Sequence, residues 1–95
     1  MLNSKQRAAL RGLASTASPL FQCGKEGVTP SFCDAADKAL TARELIKITV
    51  LRSSPVSVRE AAESTAQAVG AEIVACIGNR FVLYRYSKTC DAHVL

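Results

Sequence analysis

Tryptophan is absent from this sequence, and phenylalanine and tyrosine together supply only 5% of its 95 residues. Its core must therefore be filled by aliphatic and small side chains. The only histidine, His93, lies in a polar stretch near the carboxyl end, so the commonest acid–base side chain is missing from the rest of the chain. The four cysteines, Cys23, Cys33, Cys76 and Cys90, form no C-x-x-C pair. That excludes zinc-ribbon and thioredoxin-like spacings. Cys90-Asp91-Ala92-His93 resembles half a metal site but lacks the second pair that four-coordinate zinc needs. No disulfide, metal or cofactor is expected. The longest uninterrupted apolar run is Ile73–Ile77, far short of the roughly 20 residues of a membrane-spanning helix. Lys5, Arg7 and Arg11 break up the amino end, where a signal peptide would need an apolar stretch. The expectation is a soluble, cytoplasmic, monomeric protein without membrane contact.

What is present points to one small globular domain. Hydrophobic residues make up 48% and charged residues 21%, a balance that excludes intrinsic disorder. A chain of this length buries a little over ~60% of its unfolded surface around a single core. The net charge of +4 is banded along the sequence. Residues 1–25 hold Lys5, Arg7, Arg11 and Lys25 and no acid; residues 26–44 sum to −2. Residues 45–59 sum to +3 through Lys47, Arg52 and Arg59, residues 60–77 to −3, and residues 78–90 to +3. Such banding produces the opposed basic and acidic faces of a nucleic-acid binder.

The periodicities divide the chain into seven elements. Leu10, Leu13, Ala14 and Ala17 mark a helix over about 4–17, capped by Asn3 or Ser4 and ended by Ser18-Pro19. Gly12 inside it costs about 1 kcal/mol relative to alanine, which suggests close approach of another backbone. Leu20–Cys23 is a short strand. Thr29 and Pro30 start a second helix over 30–43, with Phe32, Ala36, Ala39 and Leu40 as its apolar stripe. Leu45–Leu51 is a β-branched strand. Ser57 and Glu60 form a capping box for a third helix over 58–69, closed by Gly70. Ile73–Ile77 and Arg80–Tyr86 are strands joined by the hairpin signal Gly78-Asn79. Cys23 and Cys76 fall in apolar strand runs, where a thiol acts as a small hydrophobe. The order α-β-α-β-α-β-β predicts an α/β two-layer sandwich on a four-stranded mixed sheet. Right-handed crossovers put the second and third helices on one face. Residues 1–87 form the domain and 88–95 a flexible tail.

Chemistry concentrates at Gly24-Lys25-Glu26-Gly27, between a strand and a helix. Two glycines three apart permit a tight turn and close approach of a ligand. The following helix start adds partial positive charge, and Lys25 a full one. This is neither a Walker loop nor a dinucleotide fingerprint. It has the form of the G-x-x-G loop with which KH domains clamp single-stranded nucleic acid. Catalysis finds little support: no histidine lies near a cysteine or serine in the folded part, and Asp34, Asp37, Glu44, Glu60 and Glu63 sit at spacings that read as solvated helix faces.

Four blocks carry a family resemblance: Lys5-Gln6-Arg7 with Leu10–Ala14, Pro19–Gly27, Ala39–Lys47, and Ile77–Arg85. In this order they resemble the CRM domain, the YhbY-like RNA-binding family, over roughly residues 2–87. The resemblance implies the same α-β-α-β-α-β-β fold, similar to the C-terminal domain of a bacterial translation initiation factor. It also implies a stand-alone bacterial protein that associates with precursors of the large ribosomal subunit; plant relatives serve group II intron splicing. The family loop is Gly-Lys-Gly-Gly, matched by Gly24, Lys25 and Gly27, with Glu26 in place of the third residue.

Together with the ribosomal role that the resemblance implies, these readings lead to the expectation of a non-catalytic protein that binds ribosomal RNA precursors during large-subunit assembly. Gly24, Lys25, Glu26 and Gly27 grip the backbone. Lys5, Arg7 and Arg11 add long-range attraction, and Arg43, Lys47, Arg80 and Arg85 are secondary contacts. The rival is a protein-interaction module for a ribosomal protein or assembly factor, in which the basic excess is incidental. With so few aromatics, recognition is expected to rest on backbone and shape.

Overall fold

Residues 2–88 are described by the structure, a computed structural model. Its helices are α1 (Ser4–Ser15), α2 (Pro30–Arg43) and α3 (Val58–Val69), and its strands β1 (Phe21–Cys23), β2 (Leu45–Val50), β3 (Glu72–Ile77) and β4 (Arg80–Tyr84). The order is the one expected. Local chemistry accounts for most boundaries. Asn3 Oδ1 accepts the Gln6 N–H (2.8 Å) while Gln6 Oε1 accepts the Asn3 N–H (3.1 Å), a reciprocal capping box that settles the first cap on Asn3. Thr29 Oγ1 accepts the Phe32 N–H (3.0 Å), and Ser57 Oγ the Glu60 N–H (3.2 Å). Gly70 closes α3 in the left-handed conformation, φ 67°.

Two ends fall short of expectation by two residues each. The first helix stops at Ser15 because Ser15 and Thr16 hydroxyls donate to the Gly12 and Leu13 carbonyls, while Lys47 Nζ donates to that of Ala14. The last strand stops at Tyr84, since the Arg85 N–H turns to the Glu44 carbonyl (2.9 Å) at the corner before β2. The proposed tail lies almost wholly outside the described residues, as do Cys90 and His93. Ser87, at the end of the proposed domain, is buried; its hydroxyl donates to Thr41 O (2.6 Å).

The sheet order is β1-β2-β4-β3, with β1 parallel to β2 and β4 antiparallel to both of its neighbours. The chain's last strand thus occupies the interior of the sheet. Gly78, at φ 60°, makes the tight turn that returns the chain from β3. Ile46, Ile48, Phe81 and Leu83 face Ala36, Leu40, Ala61, Ala62 and Ala66, so α2 and α3 share one face as expected. Phe81 is fully buried and, with so few aromatics, is the largest side chain of that core. Burial of such a side chain stabilises by roughly 1.5–3 kcal/mol. Val82 and Val74 face the other way and meet Leu10 and Ala14. The two-layer sandwich of sheet and α2/α3 therefore carries α1 alone on its second face.

Three local expectations are corrected. Glu44 is not on a solvated helix face: it is fully buried and ends α2 at φ 66°, a conformation rare outside glycine. Its N–H donates to Leu40 O, its carbonyl accepts from Arg85, and its Oε2 accepts the Ser87 N–H (2.8 Å). These bonds hold a strained residue in place. Cys76 is exposed, with Ile77, at the end of β3 that neither core cluster covers; Cys23 alone of the pair is a core thiol. No backbone approaches Gly12, and a Cβ there would meet nothing within 4 Å. Gly12→Ala is accordingly expected to raise stability by about 1 kcal/mol, measured as a higher urea midpoint with an unchanged m-value.

Candidate nucleic-acid interface

Because β1 and β2 are parallel, each ends at the same edge of the sheet and each leads into a helix. The Leu51 N–H donates to Cys23 O (2.9 Å), locking the two strand ends together. Beyond them the chain makes two adjacent loops, 24–29 and 51–57, from which α2 and α3 start. Open α/β sheets place ligands at this carboxyl end of parallel strands.

The first loop is a β-turn closed by the Gly27 N–H on Gly24 O (2.9 Å). Lys25 and Glu26 form its exposed tip. Gly27 is buried at φ 70°, and a Cβ on it would lie 3.1 Å from Pro55 Cγ in the second loop. The glycine is thus required by both conformation and packing. Gly24 has no positive φ, and a Cβ there would meet Leu51 Cδ1 at an ordinary 3.8 Å. Among the described residues neither Lys25 nor Glu26 forms an ion pair. In the first turn of α2, Pro30 has no N–H and Thr29 engages that of Phe32. The Ser31 amide is left as the donor beside Lys25.

The expected basic residues divide between exposed ones and half-buried ones already engaged by the fold. Lys5 and Arg11 are exposed on α1, and Arg80 is exposed at the start of β4, paired in register with Thr49. Arg80 is therefore at the same sheet end as the loop but on the face that carries α1. Arg43 is exposed at the opposite end of α2, a helix length of about 20 Å from the loop. The other three are occupied inside the fold. The Arg7 guanidinium donates to Ile73 O. Lys47 Nζ donates to Ala14 O (3.0 Å) and Ala17 O (3.3 Å), where it also meets the negative end of α1. Arg85 donates to Asp37 Oδ1 (2.6 Å), Thr41 Oγ1 (2.9 Å) and the carbonyls of Asp37 and Val69, tying α2 to the end of α3.

Two cations not singled out from the sequence lie on the adjoining loop and helix start, at the same end of the sheet as Lys25. Arg52 is exposed in the second loop, and Arg59 is exposed in the first turn of α3. Their signal was the basic band over 45–59. What hid them was that only the parallel pairing of β1 with β2 sets that band beside Lys25. Acids share this end: Glu26 at the tip, and Glu60, whose carboxylate accepts from the Ser57 hydroxyl (3.3 Å).

Little here is activated for covalent chemistry. Cys33, in α2, has its thiol pushed up by burial, the opposite of a thiolate nucleophile. Tyr84 is likewise raised, first by burial and then by the charge of Glu44. Among the described residues no three His, Cys, Asp or Glu side chains converge on a metal position. No described helix is long and apolar enough to cross a membrane.

Comparison with known proteins agrees with this architecture. The profile of the CRS1 / YhbY (CRM) domain matches residues 2–85. A Bacillus subtilis (strain 168) protein, YqeI, named as a probable RNA-binding protein, is 40% identical over 88 residues, covering 93% of this chain and 92% of its own. A Haemophilus influenzae protein named "RNA-binding protein" is 31% identical over 87 residues, covering 92% and 88%. The solution structure of a Staphylococcus aureus protein, described as a candidate RNA binder, superposes with a TM-score of 0.79 at 41% identity, covering 93% and 92%.

The two loop glycines are expected to respond differently to one added methyl. Gly27→Ala should lower stability by about 1–3 kcal/mol, from the positive φ and the Pro55 contact. Gly24→Ala should change it by less than about 0.5 kcal/mol. Urea unfolding of both variants checks this, and equal losses would contradict the loop geometry.

Proposed function

The chain belongs to the CRS1/YhbY (CRM) domain family, and on that premise we propose that it is a non-catalytic RNA-binding protein that grips phosphates at the ends of β1 and β2. The reading is carried by the placement of Lys25 on an exposed turn against the start of α2, with Arg52 and Arg59 on the adjoining loop and helix. A phosphate there meets a full charge, the Ser31 amide and two further cations. The RNA is a precursor of ribosomal RNA, bound during assembly of the large subunit, and the protein acts in the cytoplasm. Arg80, Lys5 and Arg11 extend the attraction over the α1 face. Arg7, Lys47 and Arg85 contribute through the fold, because their donors are already engaged.

This assignment predicts a salt dependence. Each neutralised phosphate of a single strand releases about 0.7 counterions, so log affinity should fall linearly with log salt. Lys25→Ala, Arg52→Ala and Arg59→Ala should each flatten the slope by roughly 0.7 and weaken all sequences about equally. Arg43→Ala, at the far end of α2, should leave it unchanged. Glu26→Gly removes a like charge and should not weaken binding. Titrations of ribosomal RNA precursor fragments at several salt concentrations, with circular dichroism as the folding control, measure all five. A wild-type slope near zero would remove the RNA reading. Co-sedimentation with immature large subunits at low salt, and its loss in Lys25→Ala, tests the ribosomal assignment.

A further inference from the structure

Beside the Lys25 turn, between the outer edge of β1 and the first turns of α2, lies an open groove of about 500 Å³. That is within the ~300–1,000 Å³ range of pockets that hold small ligands. Its apolar surface includes Phe21 and Phe32, which pack edge-to-face with ring centroids 5.5 Å apart at 84°. Both rings are only half-buried, packed at the margin of the main core with part of their surface left open. Lys25 stands at the rim. The polar groups are few and convergent. Thr29 Oγ1 accepts from the Phe32 N–H and keeps its own proton to donate, and the Ser31 hydroxyl is exposed.

The strand edge adds a hydrogen-bonding pair. β1 is the outermost strand, and Cys23 turns its carbonyl inward to Leu51. Adjacent residues of a strand direct their backbone groups to opposite sides. The N–H and C=O of Gln22 therefore face the open edge, where a donor and an acceptor stand side by side. The edge of an unpaired base presents the same donor–acceptor combination, and its flat face requires an aromatic or apolar seat.

From this we infer that the groove seats one unpaired nucleobase of the strand whose phosphate Lys25 holds, against Phe32 and Phe21 with its edge toward Gln22. The inference rests on the RNA-binding reading and extends it from backbone contact to base contact. It also revises the expectation that so few aromatics leave only backbone and shape to be recognised. Two half-buried rings at one place suffice for a single base.

The test compares fluorescent eight-nucleotide RNA, oligouridine and oligoadenosine, with an abasic ribose-phosphate chain of the same length at one fixed salt concentration. Base–aromatic stacking should favour the base-bearing strands by about 5- to 150-fold. Phe32→Leu keeps apolar volume but loses the ring, and should reduce that preference to within about twofold of none while leaving the salt slope intact. Ala35→Met narrows the groove from an exposed helical position and should lower the preference without risk to the core. Lys25→Ala should do the reverse, flattening the slope and keeping the preference. Equal wild-type affinity for abasic and base-bearing strands, with a normal salt slope, would overturn the base seat and leave the phosphate grip standing. Undiminished preference in both Phe32→Leu and Ala35→Met would also overturn it. Absence of binding to either strand would remove both readings together.

Discussion

Insertion of the last strand between β2 and β3 is the constraint on which the other contacts depend. Its alternation presents Phe81 and Leu83 to α2 and α3 and Val82 to α1, so one five-residue segment anchors the helices of both faces. All its pairing with β2 is long-range, and its loop-closure entropy must be offset by the burial that the pairing brings. The chain after it is then locked. Arg85 and Ser87 donate their amides to Glu44, so the strained corner between α2 and β2 cannot relax while β4 stays in place. That corner sets where β2 begins, and the pairing of β2 with β1 sets where both end. The two loops are thereby fixed at the other edge.

Within that frame the cations have two uses. Lys47 and Arg85 meet carbonyls at the ends of α1 and α3, where the helix dipole favours positive charge. Arg7 joins α1 to the bulged strand β3. Removing one of these would break a link between elements and return part-buried carbonyls to solvent or to no partner. Lys25, Arg52 and Arg59 lie on exposed turns and first helical turns instead, where an anion can approach. Three exposed cations are thus presented on the two adjoining loops and the helix start at one end of the sheet. The glycines divide in a similar way, since Gly27 supports the turn conformation while Gly24 leaves room at the strand end.

The groove beside that edge would give the proposed phosphate grip a direction. A strand held at Lys25 alone could run either way over the surface. In the proposed base seat, aromatic rings on one side of the turn would make one course more favourable, because a base could leave solvent there without losing its hydrogen bonds. The edge strand β1 is only three residues long, which limits its liability for pairing with other strands while still exposing the Gln22 backbone.

The order of elements, the helix caps, the hairpin turn and the glycine-lysine loop were legible in the sequence because each depends on residues within a turn or two of one another. Thr29 with Phe32, Ser57 with Glu60, and Gly78 with Asn79 are local in this sense, and their chemistry does not wait for the rest of the chain. The resemblance to the family rested on the same local blocks. The fate of each cation was not legible. Lys47 meets Ala14 across 33 residues and Arg85 meets Asp37 across 48, so only the folded chain separates an interior donor from a free one. The same holds for Glu44, whose helical spacing read as solvated and whose burial depends on Arg85 and Ser87 beyond β4. Arg52 and Arg59 likewise joined the Lys25 turn only once two distant strands lay parallel. Sequence determined the parts and their local geometry, and tertiary structure decided which charges were left for a partner, because that choice depends on neighbours no local pattern encodes.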